Sequence, residues 1–260
     1  MIARDERDRQ LLRQGGQHLG RVLQGVVLAA QPGVTIRSLN ALAEQLVAEV
    51  NGRPSFKGYR PEHSREPFPG ALCVSVNSEV VHGRPDRDIE LRDGDIVGLD
   101  IGMQWPAEGG LYTDTSRTVI VGSVSSKTEQ LVRSANDALS AGIAAAAVGS
   151  RISDIARAIQ EAAEHASFSV VRELVGHGVG GAVHEEPQVP NYWDDQQEDA
   201  EIVDGLVLAL EPMLTAGAWP VETLKDGWTV VTKDGSLSSH AEHTILITRD
   251  GTEVLTRVVV

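Results

Sequence analysis

The chain has 260 residues, 41% of them hydrophobic, and a formal net charge of −14. That apolar content excludes a disordered polypeptide. The acidic balance argues against non-specific binding to nucleic acid or an anionic membrane. One cysteine, Cys73, rules out an intrachain disulfide and fits a reducing compartment.

The N-terminus, Met1 to Arg9, is charged and has no signal-peptide apolar core. Leu11, Leu12, Leu19, Val22, Leu23, Val26 and Val27 recur at helical spacing, which predicts an amphipathic helix over 5–30, ended by Pro32-Gly33. A second helix starts at Thr35 or Ser38 and stops at Asn51-Gly52. Residues 53–70, with four prolines, read as a long loop, of the kind that often lines a site. A strand over 71–76 turns through Asn77-Ser78-Glu79 into Val80-Val81-His82. Strands over 95–101 and 118–121 follow, then an Ala-rich helix pair over 127–147 and 153–166. The stretch around Ala141–Val148 is too short to span a bilayer, so a soluble cytoplasmic protein is expected. A strand near 169–171 leads to a Gly-rich turn at 176–181, and 187–201 reads as an acidic surface loop. Strands over 206–210, 228–232, 243–248 and 254–260 close the chain.

This order repeats itself. Asp93-Gly94 opens an apolar run into Asp100, and Asp204-Gly205 opens another into Glu211. Asp114 heads the alternating run 116–121, and Glu242 heads Ile245-Leu246-Ile247. Upstream, Pro32-Gly33-Val34-Thr35-Ile36 and Val148-Gly149-Ser150-Arg151-Ile152 each divide two helices. Each half reads helix, Gly turn, helix, then strands ending in acids, a long-period duplication. The expectation is one closed domain over 1–260, with halves of roughly 1–124 and 125–260. No linker separates two independent domains.

A carboxylate at the end of an apolar strand is costly to bury unless paired, hydrogen-bonded or bound to metal. Asp100, Asp114, Glu211 and Glu242 with three histidines, His82, His177 and His184, offer N/O donors suited to hard or borderline divalent ions, and four acids with one of the histidines suit a two-ion centre that activates water. Simpler roles stay open for each: a cap or ion pair for Asp100 and Glu211, an Asx turn for Asp114, a solvated strand end for Glu242. His177 stands in Gly176-His177-Gly178-Val179-Gly180-Gly181, where the glycines let backbone approach closely. This stretch lacks the G-x-G-x-x-G frame, and His184-Glu185-Glu186-Pro187 is not the H-E-x-x-H of zinc proteases. As lone residues His82 and His184 are compatible with ordinary core or surface roles. No G-x-S-x-G supports a serine hydrolase, and Cys73 reads as buried filler.

Taken together, Cys73-Val74-Ser75-Val76-Asn77, His82-Gly83, Gly98-Leu99-Asp100, Thr113-Asp114-Thr115-Ser116, the His177 glycine run, His184-Glu185-Glu186-Pro187, Leu210-Glu211-Pro212-Met213, Gly227-Trp228-Thr229 and Glu242-His243-Thr244 resemble the type I methionine aminopeptidases of peptidase family M24. The similarity runs from about residue 5 to 258 and is like the short bacterial form. It implies an α+β pita-bread fold, two pseudo-twofold halves with an antiparallel sheet and two helix pairs. It implies two divalent metal ions (Co, Mn, Fe or Zn). Asp100 would chelate one, Asp114 and Glu242 would bridge, and His177 and Glu211 would hold the other. Glu211 would also carry the proton of the attacking water. His82 and His184 would face the scissile amide and stabilise the oxyanion. Tyr59, Phe68, Cys73 and Trp228 match the methionine side-chain pocket, with core packing as their competing role.

The implied activity is removal of N-terminal methionine from nascent polypeptides with a small second residue. The implied setting is the cytoplasm, with the ribosome as a candidate partner, a monomer, and neither nucleic acid nor membrane bound directly. Four departures stand out: extra residues at 60–67, a segment about three residues longer between Asp100 and Asp114, and small Val183 and Ala241 where aromatics are usual. Those two small residues are expected to widen the pocket and relax methionine preference. The rival of the same fold is a Xaa-Pro aminopeptidase or dipeptidase. That group has Glu-Pro-Gly and an extra histidine, where this chain has Met213 and Glu173. A catalytically inactive scaffold would have lost ligands, and all five stand here.

Overall fold

Four helices and a twisted antiparallel sheet make up the computed structural model, which describes residues 1–61 and 66–257. Helices α1 (Glu6–Ala29) and α2 (Ile36–Glu49) form one pair, α3 (Ser126–Ala145) and α4 (Ile152–His165) the other. Three of the starts carry side-chain caps: Asp5 accepts from the amide of Asp8, Thr35 from Ser38, and Ser125 from Thr128. Thr35, rather than Ser38, therefore begins α2. Among the described residues no helix is long and apolar enough to cross a membrane.

The main sheet has eleven strands. Its central path runs from Arg53–Pro54 through Ile96–Trp105, Leu111–Ile120, Ser238–Thr248, Val207–Leu210 and Val175–Gly178 to Glu185–Pro190. The strands of the first half thus join those of the second at the Leu111–Ile120 and Ser238–Thr248 pairing, where Ser116 stands opposite Glu242. Side chains alternate between the faces of a strand. Val97, Leu99, Ile101 and Met103 pack with Leu19, Val22, Val26, Leu39 and Val47 from α1 and α2. On the other half Ile245, Ile247, Leu208 and Leu210 pack with Leu131, Leu139, Ile155 and Ile159 from α3 and α4. One face of the sheet is therefore sealed by helices, and the acids fall on the other. A small sheet of Val221–Thr223, Val230–Thr232 and Glu79–Val81 stands beside it.

Several elements differ from the sequence expectation. Asp114 lies inside Leu111–Ile120 instead of at the head of a short strand. The polar run Thr113 to Arg117 resembles a loop, but its groups are satisfied across the sheet: Thr115 Oγ1 donates to the Glu242 carbonyl (2.9 Å) and Thr118 Oγ1 to the His240 carbonyl (2.8 Å). The first part of the expected Gly-rich turn, 176–178, belongs to a strand, Val175–Gly178, which pairs with Glu185–Pro190, whose last four residues had read as loop, while 179–184 make the turn between them. Strands Met213–Thr215 and Val221–Thr223 are three residues each, too short for an alternation to register. The last strand is Gly251–Val254, and the end of the expected 254–260 strand, 258–260, lies outside the described residues. So do 62–65 of the extra loop segment. Between Asp100 and Asp114 the chain is a hairpin turning over 106–110.

Candidate active site

Register builds the site. Cys73 pairs with Asp100, Asp100 with Ser116, and Ser116 with Glu242, so these four form one row on the face away from the helices. Asp114, two residues before Ser116, shares that face opposite Gly102. Glu211 follows Val207–Leu210, and His177 pairs with Ala209 on the adjoining strand. The glycines around His177 have a steric cause: a Cβ at Gly176 would collide with the Ala209 carbonyl, and one at Gly178 with the Glu186 carbonyl. Only bare backbone lets three strands close so tightly beside the histidine.

All five expected ligands converge. Asp100, Asp114 and Glu242 offer oxygen atoms within 4.8 Å of one another, and a ring nitrogen of His177 lies within the same limit of oxygens of Glu211 and Glu242. Glu242 belongs to both groups. Asp114, His177 and His184 make a third group within the same limit, so His184 is nearer to ligand distance than the resemblance implied. His177 Nδ1 lies 3.0 Å from the Gly178 carbonyl, which can only accept, so the ring proton sits on Nδ1. The Nε2 lone pair then points at Glu211 Oε1, 3.4 Å away. Two acceptors facing each other require a cation or a proton between them.

The electrostatics agree. Burial, followed by Asp114 and Glu211, pushes the Asp100 carboxyl well above the usual carboxylate range. Glu242 and Glu211 are raised by burial and by the neighbouring acids. Burial brings Asp114 up to about 7, although the Thr115 amide (3.0 Å from Oδ1) pulls the other way. Asp100 Oδ1 is buried without a hydrogen-bond partner. Four crowded carboxyls with an orphaned oxygen and an imidazole lone pair are a donor set that a divalent cation completes; the residues fit the metal. Burial and then Asp100 also raise the Cys73 thiol, so it is a neutral wall residue and no nucleophile.

The five side chains open into a cavity of about 480 Å³ that His82, His184, Tyr59, Phe68, Cys73 and Trp228 also line. His82 has φ 56°, a left-handed conformation uncommon outside glycine, and it precedes Gly83, where any Cβ would strike the Val74 carbonyl. Burial, then His177, lowers the His82 ring to about 4, so it is neutral at pH 7. Desolvation, then the neighbouring rings of His177 and His82, also lower His184. His184 Nδ1 lies 3.0 Å from the Tyr59 hydroxyl. The loop base is closed by Phe68 N donating to the Tyr59 carbonyl (2.8 Å), which sets both aromatics in the wall. Phe68 meets Trp228 edge-on at 5.2 Å.

One expectation needs correction, and two residues were missed. Ala241 points away from the cavity into the α3–α4 core, because Glu242 beside it takes the cavity face, so it does not widen the pocket. Val183 packs in the cluster of wall aromatics, behind the residues that line the cavity. Phe56, at the start of the loop, is a wall residue that had no periodic signal. His240 lies 3.7 Å from Glu211 Oε2 through its Nε2; alternation with Glu242 was the signal that could have found it.

Comparison with known proteins agrees with this geometry. The model of metallopeptidase family M24 matches residues 10–249, and the chain belongs to that family. The methionine aminopeptidase of Clostridium perfringens is 41% identical over 258 residues, 99% of each chain. The crystal structure of methionine aminopeptidase from Rickettsia prowazekii superimposes with a TM-score of 0.91 at 36% identity, covering 99% of this chain and 100% of that one. Within M24, then, the chain is one of the methionine aminopeptidases, and its fold is the pita-bread fold. Prolidase from Pyrococcus horikoshii shares only the fold, at 19% identity and TM-score 0.76 over 64% of its length.

Proposed function

We propose that this chain removes N-terminal methionine from nascent polypeptides whose second residue is small, using two divalent ions of the Co, Mn, Fe or Zn type. The observation that carries the reading is Glu242, shared by two overlapping ligand groups on the floor of an aromatic cavity. Asp100 would hold one ion, His177 and Glu211 the other, with Asp114 and Glu242 between them. Bound there, divalent ions supply Lewis-acid polarisation and make water acidic enough to attack near neutral pH.

The chain's own groups do the rest. Phe56, Tyr59, Phe68, Cys73 and Trp228 form a slot of aromatic and sulfur surface that accepts an unbranched thioether side chain. Glu211 takes the proton of the attacking water on its carboxylate and delivers it to the departing amide nitrogen. Donation from the Tyr59 hydroxyl to His184 Nδ1 (3.0 Å) would leave the ring proton on Nε2, available to the substrate carbonyl. His82 and His184, neutral for the reasons above, donate N–H to the developing oxyanion. Residues 1–260 act as one catalytic domain with halves divided near 124, and the strand pairing that joins those halves at Ser116 and Glu242 supports a single domain. A cytoplasmic place where new N-termini leave the ribosome, and action as a monomer, complete the reading.

The test is hydrolysis of Met-Ala-Ser after loading with Mn or Co, beside a panel of Xaa-Ala and Xaa-Pro peptides. Free methionine, with the other Xaa-Ala peptides and Xaa-Pro slower, is expected. No methionine release after full loading overturns the reading, and faster Xaa-Pro cleavage replaces it with the proline-specific one.

A further inference from the structure

Glu211 is constrained at three points. Its backbone carbonyl accepts from Asn191 Nδ2 at 3.1 Å, and Asn191 is only 1% exposed. Its Oε1 faces His177 Nε2, and its Oε2 faces His240 Nε2 at 3.7 Å. At that separation the second contact is one side-chain adjustment short of a hydrogen bond.

His240 itself cannot turn away. The Thr118 hydroxyl accepts from its amide (2.9 Å) and donates to its carbonyl (2.8 Å), clasping the backbone. The ring is buried, its Nδ1 is 2.9 Å from Ser116 Oγ, and its Nε2 has no hydrogen-bond partner. A buried polar atom without a partner is rare and calls for a reason. Two arrangements of the neutral ring are open. With the proton on Nδ1, the Nε2 lone pair would face a carboxylate oxygen. With the proton on Nε2, the Ser116 hydroxyl donates to Nδ1 and the Nε2–H is aimed at Oε2. Against an ionised Glu211 carboxylate, the state in which it takes up the water's proton, only the second satisfies both nitrogens.

We propose that His240 is a positioning residue: its Nε2–H holds Oε2 of Glu211, which commits Oε1 to the His177 side and presents the carboxylate to the attacking water in one orientation. Ser116, in the row between Asp100 and Glu242, fixes the tautomer. The proposal rests on Glu211 being a ligand and proton carrier. Outer partners of this kind are worth about 10- to 100-fold in metal affinity or turnover.

The experiment compares His240→Leu with His240→Gln in the full chain loaded with Mn. Leucine fills the space without a donor, whereas the glutamine amide can bring an N–H to the place of Nε2. His240→Leu is expected to weaken Mn binding by calorimetry and to lower kcat, each about 10- to 100-fold, with KM for Met-Ala-Ser moved less than about threefold. His240→Gln recovers most of both losses. Wild-type values in His240→Leu, or equal losses in the two variants, overturn the proposal and leave His240 a packing role. Nitrogen-15 NMR of the wild-type protein reads the tautomer without any substitution: Nε2–H is expected, and Nδ1–H overturns the proposal. Absence of methionine release by the wild type would instead remove the reading of Glu211, an outcome separate from these.

Discussion

Replacing Asp114 by asparagine removes one of four crowded carboxyls while keeping size and shape. Asn Oδ1 can still accept from the Thr115 amide, and the bond from the Asp114 amide to Thr244 Oγ1 (2.8 Å) is untouched. Burial lifts the Asp114 carboxyl from 3.8 to about 7 in the folded chain. A carboxyl raised in this way supports folding below its unfolded value, and that support is lost as pH rises through the folded value. Relative to a group with no shift, Asp114 costs the metal-free protein about 2 kcal/mol at pH 5 and about 4 kcal/mol at pH 8. Asparagine does not titrate, and it also removes the charge that helps to raise Asp100, Glu211 and Glu242, which acts in the same direction. Metal-free Asp114→Asn should therefore be more stable than wild type at pH 8, by an amount that grows by at least about 2 kcal/mol between pH 5 and pH 8. At about 2–4 °C per kcal/mol for a chain of this size, melting moves by several degrees. Excess Mn should reverse the order, because only the wild type gains binding free energy and turns over peptide. The assay is calorimetric melting with chelator at both pH values, then with Mn at pH 8. A variant less stable than wild type in chelator at pH 8, or an advantage that does not grow with pH, refutes the reasoning.

His184→Ala should keep wild-type Mn affinity by calorimetry and lose about 10²- to 10⁴-fold in kcat, since it removes an oxyanion donor and leaves the five ligands in place. Lost Mn affinity would make His184 a ligand, as its grouping with Asp114 and His177 permits. Gly16→Ala in α1 should lower the urea midpoint. Its Cβ would lie 2.6 Å from the Leu255 carbonyl oxygen, a clash of about 1–3 kcal/mol that exceeds the helical preference for alanine of up to about 1 kcal/mol; an unchanged or raised midpoint would mean that the C-terminal segment yields freely.

What the sequence determined by itself is local and periodic. Helical spacing gave α1 and α2 nearly to the residue, and the Asp-Gly turns with their apolar runs marked the strand that carries Asp100, which continues past it to Trp105, and the strand that Glu211 follows. Motif order pointed to five candidate ligands, and the structure brings them together, because buried donors are costly unless they share a task. Tertiary structure decided what depends on partners across the sheet. The polar strand around Asp114 forms only because Thr115 and Thr118 find carbonyls on Ser238–Thr248, and His177 sits on a strand because its glycines admit neighbouring backbone. Ala241 faces the helices and His240 the carboxylate for one reason, the twofold alternation anchored by Glu242. That anchor became visible only once register set Ser116 opposite it, since a slip of one residue exchanges every side chain between the faces.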